Sequence, residues 1–190
     1  MIRVGKLNIT SGFLLLTAWS YYLDQQRIVP MVLLACALHE AGHLAVMHLL
    51  GIDIKEINIT AIGAEIVSES SLGYYQDALA ALAGPGINLL TALIFGQLIW
   101  GTMFSGINLV LACFNLLPIG MLDGGRALRS TLSLLINADT AKSICNLMDF
   151  CFLFIILLLG GMLLLYGCNV TLFMIGVWML SSFIRAKEGK

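Results

Sequence analysis

The chain has 190 residues, 59% hydrophobic and only 11% charged, with a formal net charge of −1 and a mean hydropathy of +0.96. Soluble domains carry roughly a quarter charged residues, and one core of this size cannot take in so much apolar surface, so the composition excludes a soluble globular protein. The near-neutral charge argues against a nucleic-acid partner.

Six apolar stretches follow one another at about 8–23, 30–50, 77–100, 102–120, 145–166 and 168–184. A bilayer core needs roughly 20 apolar residues per helix, so several of these are short. The pattern predicts an all-α polytopic membrane protein of about six transmembrane helices. The first stretch is not followed by a small-x-small cleavage site, so it does not read as a cleavable signal. With the N-terminus inside, nine basic residues (Arg3, Lys6, Lys55, Arg126, Arg129, Lys142, Arg185, Lys187 and Lys190) face the cytoplasm and only Arg27 faces out. The positive-inside rule then puts both termini in the cytoplasm. The five cysteines form no CxxC and lie in or beside apolar runs; they read as buried thiols that pack as small hydrophobes.

The second stretch holds Leu38-His39-Glu40-Ala41-Gly42-His43-Leu44. Two histidines four apart on a helix project about 40° from each other, one turn apart. They can share one metal ion, with the intervening glutamate within reach of an attacking water. This is the HExxH arrangement of a zinc hydrolase with Glu40 as general base. Ionisable groups at membrane depth are costly unless paired or ligated, so the motif needs a further partner. His48, about 140° round the helix from His43, faces away and reads as interfacial.

After this span, residues 54–60 and 62–67 alternate in part around a glycine, which predicts a small membrane-associated β-hairpin over about 52–68. It is either a plain structural hairpin or an edge, through Ile57 and Ile59, that accepts an extended peptide as an added strand. Next comes Gly84-Pro85-Gly86-Ile87-Asn88. Small residues permit close helix packing in membranes, and Asn88 is either part of a packing kink or an amide facing the site. The fourth stretch ends in Asn115-Leu116-Leu117-Pro118-Ile119-Gly120-Met121-Leu122-Asp123-Gly124-Gly125, which cannot run as a regular helix. Irregular backbone at membrane depth must be buried in protein or line a polar cavity. Asp123 is the only carboxylate between Asp77 and Asp139. It is either the third metal ligand beside an open water position or a cap of the segment that follows. Residues 126–143 read as a cytoplasmic helix and turn, with Asp139 or Thr140 capping the fifth span. Asp149 inside that span reads as a carboxylate reaching water near its end. Gly160-Gly161 suggests helix packing.

HEAGH in one span, GPGIN in the next and NLLPIGMLDGGR in the one after resemble the site-2 protease family of intramembrane zinc metalloproteases. The resemblance covers roughly residues 30–130. The six-span layout is most similar to the branch that processes a sporulation sigma-factor precursor. It implies one transmembrane metalloprotease domain over 1–190 that cleaves a peptide bond in or near a membrane-embedded segment of a protein substrate. Zn²⁺ would be held by His39, His43 and Asp123, with Glu40 as base. Asn88 and Asn115 would hold substrate or line the site, and the hairpin would pair with it. A membrane regulator or inhibitor protein is a further implied partner. Two departures stand out: no PDZ-like insert lies between the motifs, and no CBS modules follow residue 184. Two other functions fit the same residues, a membrane scaffold or receptor with a metal site and a zinc transporter. Transporters usually show internal repeats, and none is visible here.

Overall fold

The computed structural model describes residues 2–60, 63–99, 101–167 and 170–188. Of the sequence-based expectations, those on Cys168 and Lys190 lie outside the described residues, as does the side chain of Lys187. The chain is mostly helical and divides into two compact units, Met1–Leu116 and Leu117–Lys190, where a single domain was expected.

The first unit starts with two short strands, β1 (Ile2–Val4) and β2 (Leu7–Ile9), then α1 (Ser11–Leu23) and α2 (Ile28–Leu49). The expected span at 8–23 is therefore not one helix. The Thr10 hydroxyl accepts the Phe13 N–H at 3.3 Å and caps α1 there. The 13 residues of α1 reach only about 20 Å, against a hydrocarbon core of roughly 30 Å. α2 carries HEAGH, and Pro30 falls in its first turn, where a missing N–H is tolerated. Asp24 fixes the start of α2: its two carboxylate oxygens accept the N–H groups of Ile28 at 3.0 Å and Val29 at 2.7 Å.

The hairpin lies where the alternation put it, as β3 (Ile54–Thr60) and β4 (Gly63–Ser68), antiparallel. It belongs to a larger sheet of order β1-β2-β3-β4, in which β2 pairs parallel with β3 (Leu7 opposite Ile57, Ile9 opposite Ile59). β3 is thus an inner strand, and the edges are β1 and β4. The expectation that Ile57 and Ile59 present an open edge is corrected. Ile57 donates its N–H to the Lys6 carbonyl at 2.8 Å, and the Ile59 carbonyl accepts the Thr10 N–H at 3.0 Å.

α3 (Tyr74–Gly96) and α4 (Thr102–Asn115) complete this unit. α3 packs closely on α2: a Cβ on Gly42 would lie 2.8 Å from both the Ala83 carbonyl oxygen and Ile87 Cγ1, so only glycine allows this approach. α3 and α4 are joined by a hydrogen bond from the Ser105 hydroxyl to the Ala92 carbonyl at 2.7 Å. α4 stops at Asn115, short of the expected 120, because Pro118 and the glycines around it cannot continue a helix.

The second unit holds α5 (Asp123–Leu135), α6 (Ala138–Leu165) and α7 (Thr171–Glu188). Asn137, not Asp139 or Thr140, caps α6, its side chain accepting the Asp139 N–H at 3.0 Å. α6 and α7 meet at Gly160, where a Cβ would lie 2.8 Å from Phe173 Cα; Gly161 faces open space. Asp149 does not reach water. It is only 4% exposed and accepts the Gly120 N–H at 2.7 Å, so a buried carboxylate pins the irregular turn ahead of α5.

Among the described residues three helices are long and apolar enough to cross a membrane, α2, α3 and α6; α4 and residues Thr171–Arg185 are apolar but shorter. Cys145 is buried and Cys36 half-buried, but Cys113 and Cys151 are exposed, because they occupy outward faces of apolar helices.

Asp24 gives a pH-dependent prediction. Partial desolvation raises its pKa, but the backbone N–H donors from Gln26 to Val29 together outweigh it, and the net direction is down from 3.8. A carboxylate depressed in the folded state stabilises fully above its unfolded pKa and loses that contribution as pH falls through the folded one. Asp24→Ala should therefore lower the thermal midpoint in detergent at neutral pH, and the gap to the natural chain should close on acidification below pH 3.8.

Candidate metal centre

α2 brings His39 and His43 onto one face, and both are buried, at 6% and 7% exposure. Their rings meet edge to face, with centroids 4.7 Å apart, and the two Nε2 atoms lie 3.2 Å apart. At the other end of each ring, Nδ1 meets an acceptor on α3. His39 Nδ1 lies 2.6 Å from Asn88 Oδ1, and His43 Nδ1 lies 2.7 Å from the Ala80 carbonyl oxygen. Pro85 sits inside α3, where it withholds an N–H from the Ala81 carbonyl four residues back.

The direction of the first contact is fixed. Asn88 Nδ2 donates to the Ala35 carbonyl at 3.2 Å and to Asn108 Oδ1 at 2.7 Å, so the amide oxygen must be the atom facing His39. Nδ1 then carries the proton on each imidazole, and each Nε2 offers a lone pair. Two lone pairs 3.2 Å apart repel unless they share a cation. Two nitrogen ligands at the usual zinc distance, arranged tetrahedrally, lie about 3.3 Å from each other. The spacing and the donor set therefore fit zinc.

Gly84 supplies the room. A Cβ there would overlap His43 Nε2 and lie 2.6 Å from His43 Cε1 and 2.9 Å from His39 Cε1. Any side chain at 84 fills the space beside the two rings. Glu40 is half-buried on the same helix between the two histidines, and His48 is exposed on another face, as expected.

The other expected residues take varied places. Asn88 is wholly buried, with both ends of its amide engaged on protein, so it is a partner of His39 rather than a substrate contact. Asn115 is half-buried at the end of α4, its Nδ2 donating to the Leu111 carbonyl at 3.0 Å. Ile57 and Ile59 sit on the inner strand β3. In the second unit, Asp123 is the first residue of α5 and Leu122 holds the N-cap position, so Asp123 is not the cap of that helix. Its carboxylate lies at the positive end of the helix dipole. Gly125 is required in the first turn of α5, since a Cβ would overlap the Ile119 carbonyl group. Sequence reading missed Asn108. The available signal was an amide within an apolar helix, a costly residue at membrane depth.

Gly84→Ala isolates the role of this space. In an ordinary helix interior the change is favourable by about 1 kcal/mol. Here it should abolish stoichiometric zinc binding, read by metal analysis of folded, detergent-purified protein, while Gly86→Ala, which meets nothing within 4 Å, should retain zinc.

Comparison with known proteins agrees with these features. The profile of peptidase family M50 matches residues 96–159, which contain Asn115, Pro118 and Asp123. A Synechocystis sp. protein named as a candidate zinc metalloprotease is 37% identical over 106 residues, covering 48% of this chain and 27% of its own length. The chain thus spans about a quarter of that relative. The site-2 protease from Methanocaldococcus jannaschii superposes with a TM-score of 0.71 at 20% identity, over 97% of this chain and 93% of that one, so the two share a fold. Residues 96–159, which carry the Asn-x-x-Pro-x-x-x-x-Asp segment, are thus similar to peptidase family M50, and the chain has the fold of a site-2 protease.

Proposed function

We propose that this chain is an intramembrane zinc endopeptidase that hydrolyses a peptide bond in or near the membrane-embedded segment of a protein substrate. The observation that carries this is the buried His39–His43 pair, with both Nδ1 atoms held by acceptors and both Nε2 atoms converging at 3.2 Å. His39, His43 and Asp123 are the ligands, the third from the turn that opens α5. Zinc, when bound, supplies Lewis-acid chemistry, polarising a carbonyl and making water nucleophilic near neutral pH. Glu40, between the two histidines, takes the proton from the attacking water and returns it to the leaving amine. A helical substrate keeps its carbonyls hydrogen-bonded, so the scissile segment has to be unwound first. The edge strand β4 suits this task, because it can pair with an extended segment through main-chain groups. Asn115 lines the path of that segment.

The partners are a membrane-anchored protein substrate, with sigma-factor precursors and anti-sigma factors as its class, and a membrane regulator. The topology proposed with this function has six crossings and both termini cytoplasmic, which asks the shorter helices α1, α4 and α7 to cross as well. A C-terminal green fluorescent protein fusion should then fluoresce, and an alkaline phosphatase fusion at Gln26 should be active; the opposite pair of results would invert the topology.

Co-expression with candidate substrates tests the chemistry. Glu40→Gln should retain about one zinc per chain and lose at least about a hundredfold in cleavage rate. Asp123→Ala should lose both zinc and cleavage. A Glu40→Gln protein that still cleaves would overturn the assignment of the base. In the same assay Val67→Pro, within β4, should raise KM more than it lowers kcat.

A further inference from the structure

Asn108 lies on α4, one helix removed from the histidines, and touches neither of them in any hydrogen bond above. It is nonetheless wholly buried, at 0% exposure, in a helix whose other buried side chains are Phe104 and Ala112. Packing alone does not call for an amide there, since leucine has nearly the same shape and no desolvation cost. The hydrogen bonds supply the reason. Asn108 Nδ2 donates to the Phe104 carbonyl at 2.9 Å, which leaves Oδ1 as the acceptor facing α3. Asn88 Nδ2 donates to that oxygen at 2.7 Å, and Asn88 Oδ1 accordingly faces His39 Nδ1 at 2.6 Å.

We infer that Asn108 is a positioning residue for the metal centre: it fixes the orientation of the Asn88 amide and, through it, the tautomer in which His39 offers Nε2 to zinc. This rests on His39 being a metal ligand. The chain Asn108–Asn88–His39 runs in one direction only, because each amide has one donor end and one acceptor end. If Asn88 were rotated by 180°, its NH₂ group would face His39 Nδ1. The imidazole would then move its proton to Nε2 and lose the lone pair that binds metal. The Ala35 carbonyl opposes that rotation from α2 and Asn108 opposes it from α4. Asn108 is the one of the two that a side-chain substitution can remove.

The test compares Asn108→Leu and Asn108→Asp with the full natural chain in detergent. A neutral aspartic acid keeps the arrangement, its carbonyl oxygen accepting from Asn88 and its hydroxyl donating to Phe104. Zinc affinity is measured by chelator competition, and Co²⁺-substituted protein gives the visible ligand-field spectrum. Asn108→Leu should bind zinc about tenfold more weakly and alter the Co²⁺ spectrum. Asn108→Asp should recover most of the affinity. The second measurement needs no metal. The chain has three histidines, so the ¹⁵N imidazole signals of the metal-free protein are few and the one lost in His39→Gln identifies His39. That signal should report Nδ1–H in the natural chain and a mixture of tautomers in Asn108→Leu. Natural affinity, spectrum and His39 tautomer in Asn108→Leu would overturn the role of Asn108 and leave the metal centre standing. A natural chain that binds no metal would overturn both. If Asn108→Leu does not fold, a His39 found in the Nε2–H form in the natural chain overturns the inference, and zinc binding by Asn108→Asp at the natural affinity supports it.

Discussion

A metal bound by two neutral imidazoles requires that both present an unprotonated nitrogen to the same point. That requirement is met at the far end of each ring. Asn88 and the Ala80 carbonyl hold the Nδ1 protons of His39 and His43, and the two Nε2 atoms face each other at 3.2 Å. In water, solvent would exchange with these partners and the tautomer would be free to change. At 6% and 7% exposure the two rings are largely closed to solvent, and each buried polar group is costly unless bonded. The low polarity of the setting therefore sharpens the arrangement, and outer partners of metal ligands typically govern both orientation and affinity.

Much of the first unit can be understood as the framework for that contact. α2 and α3 must approach closely enough for a backbone carbonyl and a short amide to reach the imidazoles. Helices in lipid gain little from burying apolar surface against one another and associate through close packing and hydrogen bonds. Gly42 permits the approach, and Gly84 leaves the space beside the two histidine rings. The sheet binds the start of the chain to the segment after α2, through the parallel pairing of β2 with β3. In the second unit a similar economy holds the turn before α5. One buried carboxylate, Asp149, takes up a backbone N–H that the irregular chain leaves without a helical partner.

The helices that carry motifs were legible in the sequence, since their apolar runs are long and HEAGH, GPGIN and the Pro/Gly-rich turn stand out within them. So was the hairpin, from its alternation around Gly63. The N-terminal strands were not. Leu7–Ile9 is three residues long, apolar like the helix that follows, and gains its identity only by pairing with a segment some fifty positions away. That same pairing turned β3 from an expected edge into an inner strand. Asn108 and the partner of Asp149 were also hidden, though Asn108 and Asp149 are each a polar residue within an apolar helix. Their meaning depends on which group of another element they meet, the Asn88 amide for one and the Gly120 N–H for the other, and spacing along one helix does not supply this.

Zinc K-edge X-ray absorption on the detergent-purified natural chain tests the centre most directly. The expected result is one zinc per chain, a shell of nitrogen and oxygen only at about 2.0–2.1 Å, and the multiple-scattering signature of two imidazoles. A sulfur shell near about 2.3 Å, a single imidazole, or the absence of zinc from folded protein would contradict it.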